Sequence, residues 1–192
     1  MPGPVFASGD RVALHTVEEE DLPFLQRWRN HPDVRTPLTD TDPQNLEQFR
    51  EHFEKHVSDD GLNLLACVDP AEAEPTEEVP EDATVVPVGS VNIPWIREGH
   101  GTGMLMYWIA PPYQGNGYVT EATALALDWA FGTRGLAKVW AMVIEPNVAS
   151  QRVLEKLGFV REGVHRKETL VDGERTDNLH YGLLAEEWLD RE

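Results

Sequence analysis

The sequence predicts an α/β fold, and three observations support this prediction. Strand-like and helix-like patterns alternate along the second half of the chain, an order typical of helices layered on a sheet. Four strand-like segments occur before the glycine-rich turn near residue 115, and the last three follow one another, which indicates a hairpin with a third strand beside it. At 192 residues, one hydrophobic core can remove roughly 70% of the unfolded chain's surface from water. We therefore expect residues 1–192 to form a single domain.

Apolar spacing defines the elements of the first half. Alternation predicts a short strand over residues 11–15. Helices are predicted from about Glu18 and from about Asp42, each with apolar residues three and four positions apart. Apolar runs over 62–68, 85–95 and 104–109 predict three strands, of which the first two form a hairpin.

The second half contains two helices and three strands. Thr120 is a residue type that caps helices, so a helix is predicted to begin there and to end before the glycines at 132 and 135. A strand is predicted over 138–144 and a second helix over 148–157, with Gly158 at its C-terminal end. Strands over 164–170 and 178–184 are predicted to be joined by a turn at Asp172 and Gly173.

An acidic, Pro-rich insert at about 69–84 interrupts the predicted hairpin. Residues 69–82 contain seven acidic residues, three prolines and no basic residue. Such a composition cannot bury a core, so a solvated loop is predicted. The alternative is that its carboxylates bind a cationic partner.

The net charge of −18 excludes one class of partner. Nucleic acids and membrane surfaces are densely negative and would repel this protein, so neither is expected as a partner. Four lysines stand against twelve arginines. Because molar salt shortens the screening length to roughly 3 Å, such a surface suits concentrated salt. We expect a halophilic source, with an ordinary acidic protein as the alternative.

The sequence lacks the patterns of a disulfide-bonded protein, a metal-binding protein, a membrane protein and a secreted protein. Cys67 is the only cysteine, which excludes an intramolecular disulfide and a CxxC metal site. His52 and His56 lie four positions apart but lack a third ligand, so no metal is expected. No apolar run approaches the roughly 18 residues of a membrane span, and the first residues do not resemble a signal peptide. A cytoplasmic protein is expected.

The motif that suggests a chemistry is Gln114-Gly115-Asn116-Gly117-Tyr118, between a predicted strand and a predicted helix. Its glycines permit positive φ and close approach, so several backbone N–H groups can converge on one anion. The helix N-terminus adds a partial positive charge of about half an elementary unit. The motif is neither of the two standard nucleotide-binding glycine patterns, and a simple turn is the alternative interpretation.

The surroundings of this motif resemble a known family. Residues 106–113 precede it, 119–122 follow it, and 147–159 and 17–34 add further matches. Together they resemble the GNAT superfamily of acetyl-CoA-dependent N-acetyltransferases, specifically its RimJ/RimL-type branch. The resemblance covers nearly the whole chain except the acidic insert. It implies a mixed, mostly antiparallel sheet that is splayed at the cofactor site and flanked by helices.

The resemblance also implies which residues bind acetyl-CoA. One set matches the loop whose amides hold the pyrophosphate, although Val119 stands where the family usually has glycine or alanine. A second set matches the strand end that pairs with pantetheine, and a third faces the thiol. These sets are Gln114, Gly115, Asn116, Gly117, Tyr118 and Val119; Trp108, Ile109 and Ala110; and Asn147 and Ser150.

The resemblance identifies the catalytic residues less directly than the residues that bind acetyl-CoA. Leu154 occupies the position where many family members carry a tyrosine general acid, so the resemblance implies Ser150 as the acid. A capping role is the alternative for Ser150. Met104 stands where some relatives carry a carboxylate, which leaves the general base open. We favour Glu168, with Asp177, His165 and His180 as alternatives.

The expected reaction is direct attack of a primary amine on acetyl-CoA in a ternary complex, without an acyl-enzyme. A protein N-terminus is the expected acceptor. The alternatives are a small polyamine, whose charges an acidic vestibule would attract, and a non-catalytic module that binds CoA or a protein partner. Homodimers are common in the branch that this chain resembles, but the sequence itself does not determine the oligomeric state.

Overall fold

The computed structural model describes residues 2–56, 61–73 and 83–191. Within these ranges eight strands form one sheet, in the order β1-β2-β3-β4-β5-β6-β8-β7. Neighbouring strands are antiparallel except β5 and β6, which are parallel. The strands are β1 (Val5–Ser8), β2 (Val12–Thr16), β3 (Leu62–Val68), β4 (Val86–Arg97), β5 (Thr102–Ile109), β6 (Lys138–Ile144), β7 (Val160–Val171) and β8 (Glu174–Leu184).

Helices flank this sheet, which confirms the predicted α/β class. The α-helix α4 continues into a π-helical turn over Trp129–Thr133. No helix in the described ranges is long and apolar enough to cross a membrane. The helices are α1 (Leu22–Asn30), α2 (Pro32–Arg35), α3 (Leu46–His56), α4 (Tyr118–Asp128), α5 (Val148–Lys156) and α6 (Ala185–Leu189).

The core lies where α4 packs against β2, β3, β4 and β5. Ala122, Ala126 and Leu127 of α4 and Leu65 of β3 have no exposed surface. The alanines on this face let the helix approach the sheet closely. Fully burying a leucine side chain contributes about 2 kcal/mol relative to leaving it exposed, so this contact fixes α4 firmly on the sheet.

The parallel strands β5 and β6 pair over only part of their length. The register joins residues 102–104 to residues 138–140. Beyond these residues β5 continues to Ile109 and β6 to Ile144. The strands therefore splay apart and leave a wedge in the middle of the sheet.

Helix starts differ from the sequence predictions. The helix predicted from about Asp42 begins at Leu46, because Gln44 exchanges backbone hydrogen bonds with the side chain of Asn30. Asn45 and Gln48 then form a reciprocal capping pair. The helix predicted from about Glu18 starts with a 3-10 turn, and α1 follows at Leu22.

The predicted cap Thr120 is wrong, because α4 begins at Tyr118 and Gly117 occupies the cap position with φ 82°. The strand β1 was not predicted. The hairpin of β7 and β8 extends well beyond the predicted segments, with its turn at Asp172 and Gly173 as expected. Residues 74–82 of the predicted acidic insert lie outside the described part of the chain.

Candidate functional site

A cavity of about 540 Å³ occupies the wedge between β5 and β6. Alternate residues of a strand face opposite sides of the sheet. Tyr107 bonds Ser150 of α5 on one side, whereas Trp108 stacks on Phe24 of α1 on the other, with ring centroids 5.9 Å apart. The cavity therefore connects the two faces of the sheet through the splay.

We divide the cavity lining into two halves. The loop half lies beside α4 and α5, and the α2 half lies beside α2. The loop half comprises Tyr107, Ile109, Gln114, Gly115, Gly117, Tyr118, Val119, Asn147 and Ser150; the α2 half comprises Asp33, Val34, Leu38, Met106, Trp108, Met142 and Asn178.

The glycines of the loop half have left-handed backbones. Gly115 has φ 83° and Gly117 has φ 82°. A Cβ at either position would meet nothing within 4 Å. Glycine is therefore required by conformation and not by space. No side chain caps the N-terminus of α4, so the N–H groups of Tyr118 and Val119 are available to an anion in the cavity, whereas that of Thr120 donates to the carbonyl of Gly117.

Contacts on the far side of this loop hold it in place. Arg11 donates to the carbonyl of Asn116 at 3.1 Å and to the carboxylate of Glu72 at 2.9 Å. The hydroxyl of Tyr118 donates to the carbonyl of Glu72 at 2.8 Å, and the guanidinium of Arg11 lies 4.7 Å from the Tyr118 ring centroid. The first residues of the acidic insert thus contact the glycine loop.

The structure brings most of the predicted cofactor residues to this cavity, with two exceptions. Ala110 is fully buried, and its N–H donates to the carbonyl of Val88. The side chain of Asn116 donates to the carbonyl of Tyr113. Neither lines the cavity, because the chain turns into the core at Ala110 and Asn116 belongs to the outer side of the loop. Val119 lines the cavity and packs partly against the core.

Ser150 is not the cap of α5. Asn147 is the cap, since its Oδ1 accepts from the N–H of Ser150 at 3.1 Å. The Ser150 hydroxyl instead bonds the hydroxyl of Tyr107 at 2.9 Å, and Tyr107 donates to the Ser150 carbonyl at 3.2 Å. Burial raises the pKa of Tyr107 well above its usual range, so the phenol keeps its proton. Leu154 is fully buried in the core.

Sequence reasoning missed Tyr107. The alternation of β5 was the available signal, because it places Tyr107 on the opposite face from Trp108 and toward the predicted helix that carries Ser150. The partner itself was not predictable, since the two residues lie 43 positions apart.

Glu168 does not line the cavity but is linked to it. Its carboxylate accepts from Asn178, a residue of the α2 half, at 3.3 Å, and bonds the Nδ1 of His165 at 2.9 Å. The hydrogen bond from His165 is the main cause that lowers the pKa of Glu168. Burial lowers the pKa of His180. Asp177 accepts from the backbone of Lys167 and so supports the local strand geometry.

The α2 half combines apolar walls with one acidic side chain, that of Asp33. Met106, Leu38 and the stacked Trp108 provide the walls. Asp33 contributes a carboxylate whose side chain is 68% exposed. A ligand with a cationic group on an aliphatic chain would match this surface, because methylenes favour apolar contact and an ammonium favours a carboxylate.

Comparison with known proteins identifies one matching family model and several relatives of similar length. A family model described as "Acetyltransferase (GNAT) domain" matches residues 11–160. The chain is 24% identical over 181 residues to spermidine N(1)-acetyltransferase of Vibrio cholerae, covering 94% of this chain and 97% of the relative. It is 23% identical to the Escherichia coli enzyme of the same name, with 95% and 90% coverage.

A solved structure confirms the fold. The crystal structure of spermidine N-acetyltransferase from Vibrio cholerae in complex with CoA and spermine superposes with a TM-score of 0.81 at 22% identity, covering 94% of this chain and 99% of that one. By contrast, a putative ribosomal N-acetyltransferase of Bacillus subtilis is 35% identical over 82 residues and covers 43% of this chain. The two relatives named for spermidine match nearly the whole chain, whereas the ribosomal relative matches less than half of it, so the expected RimJ/RimL assignment is not supported.

Proposed function

Because this chain belongs to the GNAT acetyltransferase family, we propose that it transfers the acetyl group of acetyl-CoA to a primary amine of a polyamine. The observation that supports a polyamine acceptor is the composition of the α2 half, where the Asp33 carboxylate lies beside apolar side chains. A polyamine alternates ammonium groups with methylenes and matches both features. The full-length relatives named for spermidine support the same substrate class.

In this proposal the loop half binds the cofactor. The pyrophosphate approaches Gly115, Gly117 and the first turn of α4. The partial positive charge at this helix N-terminus stabilises the phosphates without a lysine side chain. The pantetheine arm extends along β5 at Trp108 and Ile109, on the edge that faces β6, because at these residues β5 pairs with β4 alone and no longer with β6. Asn147 and Ser150 then face the thioester.

Acetyl transfer to an amine depends more on positioning the amine against the thioester than on a strong base. A free amine attacks the carbonyl carbon, a tetrahedral oxyanion forms, and CoA leaves as a thiolate. Ser150 donates the proton that converts the thiolate to a thiol, and solvent restores the serine proton. Glu168 lies behind Asn178 as seen from the cavity, so it accepts the proton of the amine through an intervening water molecule. Its lowered pKa makes it a weak base, so its contribution is modest.

The expected protein N-terminal acceptor becomes the second candidate. It is favoured by the partial match to the putative ribosomal enzyme. A non-catalytic module is the third candidate.

Acetylation assays with spermidine, a diamine, a monoamine and N-terminal peptides test the proposal. We expect spermidine to be acetylated with the highest kcat/KM, and Asp33→Asn to raise the KM for spermidine with little change in the KM for acetyl-CoA. Preferred acetylation of peptides would overturn the polyamine acceptor. Calorimetric binding of acetyl-CoA with no acetylation of any amine would favour the non-catalytic module.

A further inference from the structure

The side chains of His165, Glu168 and His180 form a cluster beside the α2 half of the cavity. Their ligand atoms all lie within 4.8 Å of one another. His165 Nδ1 lies 2.9 Å from Glu168 Oε1, and His180 Nε2 lies 3.9 Å from Glu168 Oε2. The two imidazole ring centroids are 3.7 Å apart. This is a compact set of two nitrogen donors and one carboxylate.

An irregularity in β7 creates the cluster. In a regular strand, residues three positions apart face opposite sides of the sheet. The register of β7 with β8 shifts between His165 and Thr169, and Lys167 has φ 53°. A bulge of this kind re-aims a side chain, and here it turns Glu168 to the side of His165. The bulge is held by the N–H of Lys167, which donates to Asp177 at 2.9 Å.

The cluster and the neighbouring Asn178 each contain a polar atom without a hydrogen-bond partner. Among the described residues, His180 Nε2 and Asn178 Oδ1 are buried and bond no other atom. Buried polar atoms in folded proteins nearly always have a partner, so each exception calls for an explanation. A cation beside His180 Nε2 would give its lone pair a partner and would also neutralise Glu168.

We propose that His165 Nδ1, the Glu168 carboxylate and His180 Nε2 bind a zinc-class transition-metal cation. Two imidazoles and one carboxylate are the protein ligands of open zinc sites, in which water takes the fourth position. Ligands about 2 Å from one metal are about 3.3 Å from one another. The observed separations reach that geometry by side-chain rotation that opens the two rings, while the bulge stays in place.

The proposed metal has a consequence for catalysis, which rests on the proposed function. Asn178 lines the cavity and also donates to Glu168. A cation on the Glu168 oxygens removes the proposed proton acceptor and places a positive charge beside the site for a cationic amine. Zinc is therefore a reversible inhibitor of acetylation and not a catalyst.

Calorimetric titration of the tag-free full chain with ZnCl₂, repeated with CoCl₂ and visible spectroscopy, tests the site. We expect one tight zinc per chain and cobalt absorption bands of tetrahedral strength. His165→Ala and His180→Ala are each expected to weaken zinc binding at least tenfold. His100→Ala, at an exposed position outside the cluster, is the matched control and is expected to leave binding unchanged. Equal thermal melting of the variants confirms that they fold.

Unchanged zinc affinity in the His165→Ala, His180→Ala double variant would overturn the site, as would no zinc binding by the wild type. Acetylation assays separate this inference from the proposed function. If the metal-free wild type acetylates spermidine but binds no zinc, the inference fails and the proposed function stands. If it binds zinc through these histidines but acetylates no amine, the site stands and the proposed function fails.

Discussion

The hydroxyl of Tyr107 lies 2.9 Å from the Oγ of Ser150, and this hydrogen bond joins β5 to α5 across the loop half of the cavity. Asn147 occupies the helix cap and leaves the serine hydroxyl available. Tyr107 therefore fixes the position of the hydroxyl that we propose protonates the CoA thiolate. In this chain the positioning phenol lies on the strand, whereas the helix position of the usual tyrosine holds the buried Leu154.

Tyr107→Phe is expected to lower kcat about five- to tenfold with little change in the KM for acetyl-CoA. The reason is that a hydrogen bond of about 1 kcal/mol that orients Ser150 is lost, whereas the loop contacts remain. Steady-state kinetics measure the effect, and Ser150→Ala with the double variant provides the control. Additive losses in the double variant would contradict a shared role, because groups that act together are not additive.

Tyr107 is also expected to stay protonated in the folded protein when ordinary tyrosines ionise near pH 10. Burial raises its folded-state pKa, so above pH 10 only the unfolded state releases this proton. Stability therefore falls as pH rises beyond 10. Tyrosinate absorbance of the folded wild type and of Tyr107→Phe should be equal up to about pH 11. A larger wild-type signal below that pH would show that Tyr107 ionises normally.

Gly117→Ala is expected to weaken acetyl-CoA binding about tenfold, or about 1.4 kcal/mol. The φ of 82° is unfavourable for alanine although nothing blocks its Cβ, so the substitution shifts the loop away from its binding geometry. Gly132→Ala is the matched control, because Gly132 also has open space around it but no positive φ. Calorimetry with acetyl-CoA that gives the same Kd for both variants would contradict the assignment of the loop.

The left-handed conformation of Gly115 and Gly117 was predictable from sequence because its signal is local. Glycines between a strand and a helix indicate positive φ and an anion site without knowledge of any distant residue. The start of α3 was not predictable, since it depends on Asn30 bonding Gln44 from another element. The position of Glu168 depends on the β7 bulge, which no apolar periodicity reveals. The Tyr107 to Ser150 contact likewise depends on how two elements pack.

The Cys67 thiol is expected to be unreactive in the folded protein. It is fully buried in β3, and burial raises its pKa to about 12. At pH 8 only roughly one thiol in ten thousand is then ionised, and the thiolate is the reactive form. Ellman's reagent is expected to titrate no thiol under native conditions and one per chain in guanidinium. Rapid native labelling would show that β3 opens or is packed differently.

The acidic surface predicts that salt stabilises the fold. At a net charge of −18, mutual repulsion disfavours the compact state, and molar salt screens it at roughly 3 Å. We expect the melting temperature at pH 7 to rise by several degrees between dilute buffer and molar potassium chloride. Near pH 4.6, the sequence pI, the net charge is close to zero, so the same salt step should have little effect. A higher melting temperature in dilute buffer at pH 7 would show that repulsion does not limit stability and would remove the argument for a halophilic source.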